Sequence, residues 1–160
     1  MTPFAWVLGL FLPACGASGA MGLPPPHPID INGIERPASP NTALAAPPDF
    51  TPKPDIATLR YPVPAPRLYA GVLAAAGSQP RTFLALDDRA RLQAQFVARS
   101  AWFNFPDLIV AQVTPAGSDA STLVLYSRSV YGYGDFGVNR ARVTTWLAAL
   151  DRSLTPEQER

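Results

Sequence analysis

The chain has 160 residues, a formal net charge of +1, one cysteine and one histidine. A net charge this small argues against binding nucleic acid through a broad basic surface, because counterion release needs clustered cations. A single cysteine excludes an internal disulfide, and one cysteine with one histidine cannot supply a zinc site. A histidine-activated nucleophile is not expected either, because His27 stands in a run of prolines. We therefore expect no metal, no cofactor and no nucleic-acid partner.

The N-terminus indicates export. Residues 4–12 form an apolar run that is too short to span a bilayer but typical of a signal-peptide core. The run ends in Leu12-Pro13-Ala14-Cys15-Gly16, which resembles the lipobox of bacterial lipoproteins, where the cysteine is lipidated and becomes the mature N-terminus. This pattern predicts a signal peptide over residues 1–15 and a lipoprotein held on the periplasmic side of a membrane through Cys15. The alternative is cleavage after Ser18-Gly19-Ala20, which would release a soluble periplasmic protein.

Proline content divides the rest of the chain, since 15 of the 19 prolines lie in residues 1–66. Residues 16–35 carry few large apolar groups, so burial cannot offset the entropy of ordering them, and we expect a flexible spacer. Residues 36–66 predict a proline-rich extended arm. The globular domain is expected over residues 67–152, with a tail over 153–160.

Hydrophobic periodicity in the domain predicts helices at both ends and strands between them. The predicted elements are a helix over 65–76, a strand over 82–87, mainly extended chain over 90–105, a hairpin formed by 108–114 and 121–130, and a helix over 138–151. This order indicates an α+β fold. We expect a small antiparallel sheet with helices packed on one face, preceded by a proline-rich extended N-terminal segment.

A resemblance to a known family is carried by three stretches of sequence. They are the polar loop from Ser127 to Arg142, Arg36-Pro37-Ala38-Ser39-Pro40-Asn41 and Phe103-Asn104-Phe105-Pro106-Asp107. Together they resemble the bacterial DUF1499 family, a domain of unknown function, over residues 36–151. Ala38 and Ala43 stand where family members often have cysteines, so the resemblance implies no thiol role in this chain. The resemblance implies that this stretch shares the fold of the family, and it implies no particular activity.

The polar loop has two interpretations, of which the first is a small anion site. Arginines, an amide and a helix N-terminus suit a phosphate or carboxylate group, and two tyrosines could line the site. The residues of this candidate site are Arg128, Ser129, Tyr131, Tyr133, Asn139, Arg140 and Arg142.

The second interpretation is a structural latch. Gly132, Gly134 and Gly137 permit a tight turn, while Asp135 caps the last helix and pairs with Arg128 or Arg140. Strand alternation places Arg128 on the opposite side from Ser127 and Ser129, and Asp107 is another possible partner for it. The spacing Gly132-x-Gly134-x-x-Gly137 also matches a dinucleotide fingerprint, but Asp135 would set a carboxylate where pyrophosphate should lie.

Catalysis by carboxylates is the remaining hypothesis. Asp87, Asp88, Asp107 and Asp135 could supply an acid and a base for a hydrolase of the cell envelope, since glycoside hydrolysis needs only two carboxyls at a suitable distance. Nothing in the sequence fixes their geometry, so no catalytic residue is assigned and an enzyme is the less favoured reading. The leading expectation is a lipid-tethered periplasmic binding or scaffolding domain, with an anionic envelope ligand or an envelope protein as its partner.

Overall fold

The computed structural model describes residues 19–155, so the predictions for residues 1–15, including Cys15, lie outside the described residues. The strands are β1 (Thr42–Ala46), β2 (Ile56–Ala57), β3 (Thr82–Asp88), β4 (Gln93–Arg99), β5 (Pro106–Pro115) and β6 (Ser121–Ser129). The helices are α1 (Ala65–Gly77) and α2 (Val138–Leu154), and Ile31–Gly33 forms a short 3-10 turn. None of the helices among the described residues has the length and apolarity that crossing a membrane requires.

All six strands form one sheet in the order β2-β1-β6-β5-β4-β3. Neighbouring strands are antiparallel except β1 and β2, which pair in parallel over two residues each. The loop between them carries four prolines, which lack the N–H that a longer ladder would need. The α+β prediction is therefore confirmed, with a mixed sheet in place of a purely antiparallel one.

Both helices pack on one face of the sheet, which we call the helix face. Trp146 of α2 meets the ring of Phe96 on β4 edge to face, with the ring centroids 5.2 Å apart. The helices approach each other closely at Gly71, where an added Cβ would lie 2.8 Å from a methyl group of Leu150. A larger side chain at position 71 would therefore force the two helices apart.

The predicted start of the globular domain at residue 67 is wrong, because part of the proline-rich arm predicted over residues 36–66 belongs to the sheet. Strand β1 lies inside this stretch and pairs with β6 and β2 in the interior of the sheet. Ala43, Leu44, Ala45 and Ala46 have exposed fractions of 0–1%. Short apolar residues in a proline-rich context indicate a linker because they lack the β-branched and aromatic residues that usually mark a strand.

The prediction of a flexible spacer over 16–35 is also wrong for its described part. Residues 19–34, which we call the covering segment, lie across the sheet face opposite the helices, the outer face. Ile29, Ile31 and Ile34 belong to an apolar cluster on this face with Val110, Val124 and Tyr126. Three isoleucines and a set of side-chain hydrogen bonds to the backbone thus compensate for the entropy of ordering the segment.

Candidate functional site

Asn139 lies at the centre of the polar loop and is fully buried. Its Nδ2 donates to the carbonyl oxygen of Asn41, to Ser129 Oγ and to Asp135 Oδ2, at 3.0, 3.0 and 2.7 Å. Its Oδ1 accepts hydrogen bonds from Ser127 Oγ and Arg142 Nη1, at 2.5 and 2.7 Å. One amide thereby joins β1, β6 and the first turn of α2, so Asn139 is a structural centre and not an open ligand group.

Asp135 caps α2, as the latch interpretation expected. Its carboxylate accepts hydrogen bonds from the backbone N–H groups of Gly137 and Asn139, at 2.9 and 2.8 Å. The expected ion pair with Arg128 or Arg140 is absent from the described ion pairs. Both carboxylate oxygens are already occupied by donors at the positive end of the helix, which is the physical reason for this difference.

Arg142 provides the buried ion pair of the loop. Its Nη2 lies 2.7 Å from Asp107 Oδ2, and the side chains of Arg142 and Asp107 are only 14% and 9% exposed. Its Nη1 donates to Ser127 Oγ and Asn139 Oδ1. Asp107 is therefore the ion-pair partner of Arg142 and not of Arg128. The charge of the Arg142 guanidinium is balanced, and most of its N–H donors are already hydrogen-bonded.

Arg128 lies on the other side of the sheet. Ser127 points to the helix face, where it meets α2, whereas Tyr126 and Arg128 belong to the outer face, as strand alternation requires. Arg140 is exposed on the first turn of α2. The structure thus does not bring together the three arginines of the predicted anion site, and the prediction of that site is wrong.

Of the remaining loop residues, some pack against the domain and others are exposed to solvent. Tyr131 packs edge-on against Phe105, with centroids 6.5 Å apart, whereas Tyr133 is 76% exposed. Gly132 and Gly137 have positive φ angles of 90° and 79°, while Gly134 is not among the positive-φ residues. The glycine requirement is therefore real at two of the three positions.

The four candidate carboxylates are dispersed and already engaged. Asp107 and Asp135 are held as described above. The Tyr69 hydroxyl, chiefly, holds the pKa of Asp87 below its usual value, and hydrogen bonds from Arg91 do the same for the pKa of Asp88. An acid–base pair would need a raised pKa on one partner, so this arrangement does not favour carboxylate catalysis. Among residues 19–155, no three histidine, cysteine or acidic side chains stand together as metal ligands.

A cavity of about 380 Å³ lies between the covering segment and the outer face. Its walls are mainly apolar side chains, from the covering segment on one side and from β4, β5 and β6 on the other. They include Leu23, Pro24, Pro26, Ile29, Val97, Leu108, Val110 and Val130. Neither the cavity nor its cover by the covering segment was predicted. The sequence pattern of β4, β5 and β6 indicates which side chains share a face, but not what lies over that face.

Two polar side chains of β6 line this cavity. The Tyr126 hydroxyl is buried and has no hydrogen-bond partner among the described residues. Its neighbour Thr42 already accepts two hydrogen bonds from Arg36, which also pairs with Asp55 at 2.7 Å. Burial raises the pKa of the Tyr126 hydroxyl, and the Arg128 charge opposes that effect. The Thr42 hydroxyl beside it also lowers this pKa, and the Tyr126 hydroxyl is neutral at pH 7.

Arg128 has an exposed side chain and no carboxylate partner among the described residues. It lines both the apolar cavity and a shallow opening beside it that is formed with Ile34, Glu35 and Arg36. An uncompensated guanidinium at the boundary between an apolar cavity and solvent is suited to holding an anionic group whose apolar remainder lies inside.

Comparison with known proteins gives a family but no activity. A family described as protein of unknown function, DUF1499, matches residues 34–150. No curated protein matches the chain significantly. The chain is similar to a Thermobifida fusca protein solved by NMR, with 10% identity and a TM-score of 0.45 over 71% of this chain and 92% of that one. It is also similar to the protein TTHA0849 from Thermus thermophilus, solved by crystallography, with 14% identity and a TM-score of 0.38 over 71% and 96% of the two chains. Because the family match spans well over half of its residues, the chain belongs to the DUF1499 family, as its loop motifs predicted.

Proposed function

We propose that this protein is a non-enzymatic binding domain for an anionic amphiphile, a molecule with one aliphatic chain and a phosphate or carboxylate head. The observation that carries the proposal is the apolar cavity of about 380 Å³ with the unpaired Arg128 at its boundary. Small-molecule sites are typically about 300–1,000 Å³ and mostly apolar, with a few polar groups that orient the ligand. The cavity has this character.

The distribution of polar and apolar groups around the cavity would orient the ligand. The aliphatic chain would lie over Val97 and Val110 and beside Leu108, whose cross-strand neighbour is Arg128. The head would meet the Arg128 guanidinium, which is exposed and can offer two parallel donors to a carboxylate or phosphate.

The covering segment would act as the roof of this site. Ile29 N donates to Gln93 Oε1, Gln93 Nε2 donates to the Ile29 carbonyl oxygen, and Gln95 Nε2 donates to the carbonyl oxygen of His27. Such bonds leave the roof in place without making it part of the sheet, so a ligand can enter beneath it with little loss of secondary structure.

The proposal includes the place of action. We infer export through the signal peptide of residues 1–15 and tethering through Cys15 on the periplasmic side of a membrane, on the strength of the apolar run and the lipobox-like sequence. Feeding producing cells a labelled fatty acid tests this part. Label is expected on the wild type and not on Cys15→Ala, while label that persists in Cys15→Ala, or is missing from both, contradicts it.

The ligand is tested by calorimetric titration of the full-length protein with decanoate and decyl phosphate below their critical micelle concentrations. Saturable binding is expected, and it should weaken about tenfold or more in Arg128→Gln and in the cavity-filling variant Leu108→Phe. Arg140→Gln is the matched control, because it removes an exposed arginine from the predicted anion loop while leaving the cavity intact. Decyltrimethylammonium, which carries the opposite charge, should not show Arg128-dependent binding.

The same titration can contradict the proposal. If decanoate binds wild type, Arg128→Gln and Leu108→Phe equally, the amphiphile is held elsewhere, for example by the apolar residues 4–12. If only Arg140→Gln weakens binding, the polar loop is the anion site after all. Melting temperatures of all variants are measured alongside, so that a folding defect is not mistaken for loss of a contact.

A further inference from the structure

One end of the sheet carries large apolar side chains that are exposed to solvent. Here β4 passes into β5 and β6 passes into α2, so the two connections lie side by side. The exposed fractions are 93% for Trp102, 67% for Phe103, 76% for Tyr133 and 106% for Phe136. Phe103 stacks on Phe105, which contacts Tyr131, and these contacts link the two connections into one surface that we call the aromatic end.

The aromatic end is held in shape by hydrogen bonds. In the β4–β5 connection, Asn104 N donates to the Ser100 carbonyl oxygen and Ser100 N donates to that of Phe105. Phe105 N also donates to Ser100 Oγ, and Arg99 Nη1 to the Asn104 carbonyl oxygen. Trp102 and Phe103 are therefore presented to solvent by an ordered turn, which reduces the entropy that docking them would cost.

Phe136 is presented at a conformational cost. Its φ angle is +53°, in the left-handed region that bulky residues rarely adopt, and its side chain is fully exposed. The fold gains no burial from this phenylalanine, and glycine would suit the backbone better. An apolar side chain kept in such a position suggests a use outside the fold.

The covering segment begins at the same end. Arg99, the last residue of β4, donates from Nε and Nη2 to the carbonyl oxygens of Gly19 and Met21, at 2.9 and 2.9 Å. Only three residues separate Gly19 from Cys15, so the two lie at most about 14 Å apart. A lipid on Cys15, or an apolar segment just before it, would therefore place the aromatic end beside the bilayer.

Charge at this end suits an anionic surface. Arg81 and Arg140 are exposed near the two connections. The Asp107 carboxylate is neutralised by Arg142, whereas Asp135 keeps its negative charge on backbone amides and is outnumbered by the two exposed arginines. Aromatic side chains favour the interface between lipid and water, and arginines beside them add attraction to anionic lipids.

We infer that the aromatic end docks on an anionic lipid bilayer, with Trp102, Phe103 and Phe136 entering the interface. This inference rests on the tethering part of the proposed function and not on the amphiphile cavity. The domain would then lie with the aromatic end against the membrane. It would not move at a distance from the membrane on a long flexible spacer.

The test is tryptophan emission of the full-length protein in a Trp6→Phe background, which leaves Trp102 and the buried Trp146. With vesicles of phosphatidylcholine and phosphatidylglycerol, Trp102 emission should shift to shorter wavelength and be quenched by lipids brominated along the acyl chain. Adding Phe103→Ser and Phe136→Ser should strongly reduce the quenching. The matched control carries Trp102→Phe and Leu59→Trp, because Leu59 is 72% exposed and far from the aromatic end, and it should not be quenched.

Several outcomes overturn the inference. Vesicle-bound protein whose Trp102 stays unquenched shows that the N-terminus alone holds the membrane. A shift that appears without vesicles and grows with protein concentration shows that a second copy covers the surface. The fatty-acid label separates this inference from the tethering proposal, since quenched Trp102 without label on Cys15 contradicts tethering alone, and label with unquenched Trp102 contradicts docking alone.

Discussion

Asp107 on β5 and Arg142 on α2 meet at 2.7 Å in an ion pair that is almost closed to solvent. Asp107 pairs with Ser129 across the two strands, and Ser129 Oγ accepts a hydrogen bond from Asn139, so the ion pair and the amide network form one buried unit. A buried unit of this kind is costly to break from one side, because the remaining group loses its partner without regaining water.

Breaking this pair should destabilise the fold strongly. Arg142→Ala and Asp107→Ala should each cost about 3–5 kcal/mol, whereas Arg89→Ala, which removes an exposed ion pair to Asp87, should cost under about 1 kcal/mol. Thermal melting measures the difference directly. Equal melting temperatures for Arg142→Ala and Arg89→Ala would show that Arg142 is not held as described and is open to a ligand.

Asn139→Asp provides a sharper test of the amide network. The substitution keeps the shape of the side chain but replaces an amide donor with a carboxylate that faces Asp135, 2.7 Å from the amide nitrogen. Loss of the donors and like-charge repulsion should together cost more than about 3 kcal/mol at pH 7. Asn32→Asp, at an exposed position, is the control and should leave the melting temperature unchanged.

The order of helices and strands along the domain could be predicted from sequence, because each element is marked by a pattern of neighbouring residues. The hairpin of β5 and β6 shows two β-rich runs, whose side chains alternate between the two faces, on either side of a turn cluster, and α2 shows apolar residues such as Val143 and Trp146 at helical spacing. The alternation also placed Ser127 and Arg128 on opposite faces. These inferences need only the residue periodicity of strands and helices, which can be read from neighbouring positions in the sequence.

The first third of the domain could not be predicted in this way. Strand β1 is made of alanines and one leucine after Thr42, and it becomes a strand only because β6 and β2 flank it. Ile29 is held by Gln93, 64 residues later, and such a long-range contact leaves no local pattern. The candidate site failed for the same reason, since the helix cap satisfied Asp135 and a strand from elsewhere gave Arg142 its partner.

Stability should fall in acid partly through Asp87. The Tyr69 hydroxyl, chiefly, and Arg89 lower the pKa of this carboxyl in the folded protein. The stability it contributes is therefore present above the unfolded pKa of about 3.9 and is lost as the pH falls through the lower folded value. Tyr69→Phe should show a smaller loss of melting temperature between pH 5 and pH 3 than the wild type, and Tyr133→Phe should match the wild type.

Gln93 should control the covering segment. Its amide accepts from Ile29 N at 2.9 Å and donates to the Ile29 carbonyl oxygen at 2.8 Å, which imitates a strand pairing with one side chain. Gln93→Ala should speed hydrogen exchange at the Ile29 amide severalfold, because both bonds are lost together. Gln95→Ala removes a single bond to His27 and should have a weaker effect there. Equal exchange in the two variants would show that the isoleucines alone hold the segment.

Phe136→Gly should separate the needs of the fold from those of the membrane. Glycine relieves the left-handed strain at φ +53° and removes no buried contact, so the melting temperature should hold or rise, by the equivalent of up to about 1 kcal/mol. Gly137→Ala, at φ +79°, is the converse control and should destabilise by about 1–2 kcal/mol. If Phe136→Gly melts no lower but binds anionic vesicles less well, the strain serves docking. A clear loss of melting temperature would instead assign Phe136 a structural role that its full exposure does not suggest, and the argument from strain would fail.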